Sequence, residues 1–325
     1  MLNKVLAAVQ IMFVLFVLAA ALLYFKAVDV IQTPHGVNEP KIIQIRSGDS
    51  LNTIARTLKQ NDLIENEFYF ILYSKINKIY PKVKAGEYLV EGDISLQQLA
   101  DLLASGKVYL RKITFAEGLT AREISDILYA EDLLDGDFEA LQEGEFLPET
   151  YTFSRGEQRQ KIATQGKEAM QRILARAWDE RDADLPLKNK EEMLILASII
   201  EKETGVASER PQVASVFVNR LKKGMLLQTD PTVIYALTLG KRDLGRALTR
   251  NDLAVDSPYN TYKYAGLPPA PICSPGAASI MAAAHPDKTP YLYFVASGNG
   301  GHNFARTLNE HNLNVRNYKK QQSGR

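Results

Sequence analysis

Residues 5–25, VLAAVQIMFVLFVLAAALLYF, carry no charge and are apolar apart from Gln10, with Lys4 before them and Lys26 after. As a helix this run covers about 30 Å, the hydrocarbon thickness of a bilayer. A cleaved signal peptide competes with this reading, because Ala19-Ala20-Ala21 offers a small-residue cleavage site. The run is longer than the usual apolar core of a signal, roughly 7–15 residues, and continues through LLYF. The expectation is an uncleaved single-pass anchor. Lysines flank both ends, but the short tail ending in Lys4 favours tail inside and bulk outside.

The 325 residues have room for about two domains. Lys and Arg total 39 against 38 Asp and Glu, a net charge of +1, so no overall field points to nucleic acid. The single cysteine, Cys273, excludes an internal disulfide and a cysteine-rich metal site.

Residues 27–40, AVDVIQTPHGVNEP, mix polar and apolar side chains with two prolines and a glycine and read as a linker. Residues 41–106 read as a strand–helix–helix–strand unit plus one helix. Ile43 and Ile45 alternate as in a strand, and Leu51, Ile54, Ala55 and Leu58 recur at helical spacing. Ser95 caps the last helix and Gly106 stops it. Within this unit GDSLNTIARTL resembles LysM-type modules, which implies a small α+β fold of a kind that often binds N-acetylglucosamine-containing glycans; a purely structural module is the alternative. The remainder, 107–325, starts with the strand YLRKITF, a helix over 121–134 and an acidic loop. A charged amphipathic helix over 158–184 and further helices with polar loops complete it. No internal repeat or low-complexity tract is present.

The stretch MLILASIIEKET, residues 193–204, takes eight uncharged residues straight into Glu201-Lys202-Glu203. Asn189 caps a helix here with Glu192 three residues on, and Gly205 offers a left-handed stop. With nothing charged from Met193 to Ile200 the helix is expected to be buried all round. Glu203 then shares a face with Leu196, Ile199 and Ile200. An apolar wall and a helix C-terminus both raise a carboxyl pKa, as a general acid requires. The bland alternative is a pair of solvated glutamates bridged to Lys202, Arg210 or Arg220. Glu201 competes for the role but lies roughly 200° round the helix, so the two cannot easily serve one site.

In LLQTDPTVIYAL, Asp230 and Pro231 open a helix, with Asp230 as its cap or as a second carboxylate. Gln228 and Thr229 just before it suit hydrogen bonds to sugar hydroxyls or acetamido groups. Tyr259, Asn260 and Tyr262 in SPYNTYKY combine aromatic faces with an amide, as sugar sites do, or form a packed loop. Glu149 in FLPET is a supporting partner of the site or a simple cap. His302, Glu310 and His311 lack the spacing of a metal site, so no metal and no cofactor are expected.

LASIIEKETGVASERPQVASVFVNRLKKGMLLQTDPTVIYAL is similar to the central signature of the MltG (YceG-like) family of membrane-anchored endolytic murein transglycosylases. The similarity continues through EGEFLPETYTF, YNTYKYAGLPPAPICSPG and AAAHPDKTPYLYFVASGNGGHNFARTLNEHN. It implies an α+β chain with a cytoplasmic tail and anchor (1–26), a linker (27–40), the LysM-like module (41–106) and a YceG-like catalytic domain (107–325). It also implies cleavage between N-acetylmuramic acid and N-acetylglucosamine to give 1,6-anhydro ends, with the second glutamate of EKET, Glu203, as catalytic residue. The implied setting is the inner membrane, facing the periplasm, beside peptidoglycan synthases. A non-catalytic wall-binding scaffold and a lysozyme-like hydrolase are the rival functions.

Overall fold

The structure is a computed structural model and describes residues 1–323. It is α+β and divides into two compact units, Met1–Arg111 with Thr152–Arg155, and Lys112–Tyr151 with Gly156–Arg325.

The first unit begins with α1 (Leu2–Gln32), exposed over the apolar run and half-buried at Ala27, Val28, Val30 and Ile31. Its end is closed by Thr33, whose amide donates to the Asp29 carbonyl and whose hydroxyl donates to Asp29 Oδ1 at 3.0 Å. After Pro34 the chain enters β1 (His35–Ile45). The residues expected to be a linker, 27–40, are therefore the last turn of a helix and the first half of a strand. Both prolines are accommodated at irregular points: Pro34 lies between the elements, and Pro40, which has no N–H to donate, falls in the register shift between Val37 and Lys41.

The helices α2 (Leu51–Gln60) and α3 (Glu67–Ile76) follow, then β2 (Gly86–Ile94), antiparallel to β1, and α4 (Leu96–Ser105). Ile43, Ile45, Ile54, Ala55, Leu58, Phe70, Tyr88 and Leu103 form one buried core. Ser95 and Gln98 make a reciprocal capping box at the start of α4, and Gly106, at φ +63°, ends it. The unit runs on past residue 106, because the amide of Tyr109 donates to the Glu87 carbonyl and Arg111 binds the buried Glu87 carboxylate at 2.8 Å.

The second unit contains β3 (Arg111–Thr114, from its second residue), α5 (Ala121–Ala130), β4 (Leu134–Asp135), β5 (Thr150–Phe153, its first two residues) and β6 (Glu157–Gln158). It continues with α6 (Arg159–Glu180), α7 (Lys190–Glu203), α8 (Arg210–Lys222), α9 (Asp230–Thr238) and α10 (Ala277–Ala284). The antiparallel hairpin β7 (Tyr293–Ala296) and β8 (His302–Ala305) and the helix α11 (Leu308–Ser323) complete it. The helix expected to reach residue 134 stops at Ala130. Arg159, distant in sequence, donates to the carbonyls of Leu128, Glu131 and Gly136 and so satisfies the helix end.

The core of this unit is built on α7, in which Met193, Ile195, Leu196, Ala197, Ser198, Ile199 and Ile200 are all buried. α6, α8, α9 and α10 pack round it. Asn189 caps it through the amide of Glu192, as its sequence implies.

Candidate active site

Gly205 does not end α7 by a left-handed turn. The helix stops one residue earlier, at Thr204, which is extended at φ −139° and gives its amide hydrogen to the Ile200 carbonyl. Its hydroxyl oxygen then accepts from the amide of Val206, so a side chain supplies the reversal that glycine was expected to make.

Two residues apart within α7, the two glutamates face different sides of the helix. Glu201 accepts from Arg210 at 3.4 Å and from the amide of Gly276 at 2.9 Å, with its side chain only 6% exposed. Arg210 also binds Glu117. The segment at 272–276 is stitched to the same side of α7, where the amide of Ile272 donates to Ser198 Oγ and Cys273 Sγ donates to the Ser198 carbonyl. Glu201 is committed to holding the fold together.

Glu203 instead lines a cleft of about 470 Å³. Its Oε1 accepts a short hydrogen bond from the hydroxyl of Thr229, the residue before α9. Thr229 is itself fixed: its amide donates to Thr261 Oγ1, and its carbonyl accepts from Thr232, whose hydroxyl meets that of Thr261 at 2.8 Å. Burial raises the Glu203 carboxyl, the Thr229 hydrogen bond opposes it, and the negative charge of Asp230 adds to the rise. His302 and Arg220 also oppose it, and the net result is a pKa pushed up to about 6. Such a group exchanges a proton near neutral pH, which suits a single carboxyl acting first as acid and then as base.

Of the residues singled out in the sequence, Gln228, Asp230 and Tyr262 line this cleft with Glu203, and Thr229 holds the carboxyl from below. Gln228 takes φ +50° and donates its amide hydrogen to the Thr261 carbonyl. Asp230 is the first helical residue of α9, and no side chain caps that helix. Its carboxylate accepts from the Tyr262 hydroxyl at 2.6 Å. Three others lie elsewhere. Tyr259 packs on Tyr235 at 4.8 Å in a separate cavity of about 770 Å³. Asn260 is fully buried, its amide donating to the carbonyls of Leu253 and Val255 while its Oδ1 accepts from the amide of Tyr262. Glu149 is exposed, and its carbonyl accepts from the amide of Phe115.

The opposite wall of the cleft comes from Tyr293, Phe294 and Val295 of β7 and from Leu308 and His311 of α11. Arg220 lies between the walls. Its guanidinium donates to the carbonyls of Leu292 and Leu227, both at 2.7 Å, and sits over the Tyr293 ring. The sequence held one signal for it, a charged residue inside the otherwise uncharged run ASVFVNRL. The two histidines have unrelated surroundings: Glu209 accepts from His302 Nδ1 at 2.7 Å and from its amide, whereas His311 stacks on Tyr293.

Residues 43–317 match the model of the YceG-like family. The endolytic murein transglycosylase of Bacillus subtilis strain 168 is 36% identical over 307 residues, which are 83% of this chain and 82% of that protein. The endolytic murein transglycosylase of Streptococcus pneumoniae serotype 2 is 27% identical over 334 residues; the match takes in 87% of this chain and 59% of the pneumococcal one. A crystal structure of a YceG-like protein from Listeria monocytogenes is similar with a TM-score of 0.53 and 33% identity, covering 85% of this chain and 99% of that one. With the family match spanning both units and the Glu203 cleft, this chain belongs to the YceG-like family.

Proposed function

We propose that the chain is a membrane-anchored endolytic lytic transglycosylase that cuts between N-acetylmuramic acid and N-acetylglucosamine within nascent peptidoglycan strands, with Glu203 as its catalytic residue. The observation that supports this most is the Glu203 carboxyl, raised to about 6, on the wall of an open cleft. Protonated Glu203 gives its proton to the glycosidic oxygen as the bond from C1 breaks. The resulting carboxylate takes the proton of the muramic C6 hydroxyl as that oxygen closes on C1. A 1,6-anhydro ring forms, no water is consumed, and Glu203 ends protonated again. Thr229 occupies Oε1 and leaves Oε2 without a protein donor among the described residues, so Oε2 is the oxygen that exchanges the proton. In this reading Gln228 and Tyr262 bind sugar polar groups, and the apolar wall of Phe294 and Val295 faces the pyranose.

α1 is apolar and long enough to cross a bilayer. In this proposal it holds the chain in the inner membrane with the catalytic unit on the periplasmic side, where cutting limits strand elongation beside peptidoglycan synthases. The LysM-like module, residues 41–106, positions or recruits the catalytic domain.

A hydrolase is the second reading, favoured by one observation: Asp230 is a second carboxylate in the same cleft and could activate water. Digestion of purified peptidoglycan by the full chain, with mass spectrometry of the released ends, separates the readings. The expected products carry 1,6-anhydro-muramic ends, and Glu203→Gln lowers their yield by at least roughly 10²–10⁴-fold while remaining folded. Free reducing ends would move the reaction to water and the second carboxylate. No release by the wild type would leave a wall-binding scaffold.

A further inference from the structure

The first unit carries an apolar surface that its own core does not use. On α3, Phe68, Leu72 and Ile76 are 62%, 37% and 70% exposed. Their four-residue spacing sets them in one stripe along the helix. The opposite face, with Phe70 and Ser74, is buried in the module. Scattered exposed apolar residues are ordinary, but three large ones in a row on a ten-residue helix mark a contact surface.

The path of α1 identifies what that surface meets. The helix is continuous from Leu2 to Gln32, so it leaves the membrane without a flexible joint. With residues 5–25 filling the hydrocarbon, the headgroup layer extends about 5–7 Å further, or roughly four residues of helix. Ala27 and Val28 fall inside that layer, and they are half-buried. α3 and α4 are the helices that pack on α1, and Ile31 joins the module core. A helix that packs on α1 at this height lies at the membrane surface. α3 also carries Tyr69 and Tyr73, half-buried with polar tips, and exposed Lys75 in its last turn, with exposed Lys78 just beyond it. Tyrosines and lysines of this kind suit the boundary between headgroups and acyl chains.

We propose that α3 is a membrane-docking helix, with Phe68, Leu72 and Ile76 inserted at the headgroup–acyl boundary of the lipid bilayer. This rests on α1 being the membrane anchor and adds a second membrane contact to it. The module is then held against the bilayer at a set height instead of swinging on a tether.

The test uses the full chain with Cys273→Ser, reconstituted in phosphatidylethanolamine–phosphatidylglycerol vesicles. A polarity-sensitive fluorophore is attached in turn at Phe68→Cys, Leu72→Cys and Ile76→Cys. The water-facing reference is Ser47→Cys, just past the far end of β1, about 35 Å along that strand from α1. The expected result is blue-shifted emission at the three α3 positions, quenched by lipids carrying shallow nitroxides and protected from aqueous iodide, with the reverse at Ser47. Iodide quenching at the α3 positions equal to that at Ser47 overturns the proposal. Carbonate extraction of the same vesicles reports on α1 separately. Retention with an iodide-accessible α3 removes the docking alone, and release removes both the anchor and the docking.

Discussion

Thr229 donates its hydroxyl hydrogen to Oε1 of Glu203, joining the residue before α9 to the last residue of α7. The bond works against the burial of the carboxyl, because a donor to the charged form stabilises it while loss of water destabilises it. Their balance, with Asp230 and the nearby cations, leaves Glu203 at about 6.

Replacing Thr229 by valine keeps the shape but removes the donor. Burial then goes less opposed, and the Glu203 pKa rises above 6. A general acid works while protonated, so the alkaline limb of kcat/KM against pH should move upward in Thr229→Val. A limb that stays in place or moves to lower pH would mean that this hydrogen bond does not set the acidity of Glu203.

The same shift makes stability depend on pH. The folded pKa of Glu203, about 6, lies above the ordinary 4.5. The stability it lends is complete below pH 4.5 and is lost as pH rises through 6, by about 2 kcal/mol in all. Glu203→Gln has no proton to lose. Its stability relative to wild type should therefore improve by up to about 2 kcal/mol between pH 4 and pH 8. Urea unfolding at both pH values gives this difference, and a constant offset between the proteins would contradict it.

Glu201 predicts the opposite phenotype. Its side chain is 6% exposed and that of Arg210 is 10% exposed. Removing one partner of a buried pair costs up to about 3–5 kcal/mol. Glu201→Gln should lower the melting temperature, yet cleavage per folded molecule should stay close to wild type. A folded but inactive Glu201→Gln would put the acid on the wrong side of α7.

Gly166 tests the packing of α6 on Phe146. A Cβ added there would come within 2.1–2.6 Å of the ring of Phe146, which is itself fully buried and meets Phe115 and Tyr151 edge-on or tilted. In an exposed helix Gly→Ala gains about 1 kcal/mol. Here Gly166→Ala should instead cost about 1–3 kcal/mol through overpacking, measured by chemical denaturation. A more stable variant would show that the ring moves freely aside.

Local features were legible in the sequence because local chemistry produces them. The cap at Ser95, the stop at Gly106, the Asn189 cap and the uncharged run before Glu203 each depend on residues a few positions apart. The same periodicity put Glu201 and Glu203 on different faces, which the structure bears out through their separate partners. The end of α5 was not legible, since the arginine that satisfies its carbonyls is Arg159, well beyond the helix. Tyr259 and Tyr262, three residues apart, looked like one sugar site; Asn260 pins the loop between them, and they enter different cavities. Arg220, on the next helix, and the wall from β7 and α11, about a hundred residues further along the chain, reach Glu203 only through packing. The sequence by itself determined an apolar membrane-length helix, a buried helix ending in carboxylates and a family signature, all carried by neighbours along the chain. Only the tertiary structure decided which polar groups surround Glu203 and how far its acidity moves, because burial and charge act through space and are set by elements distant in sequence.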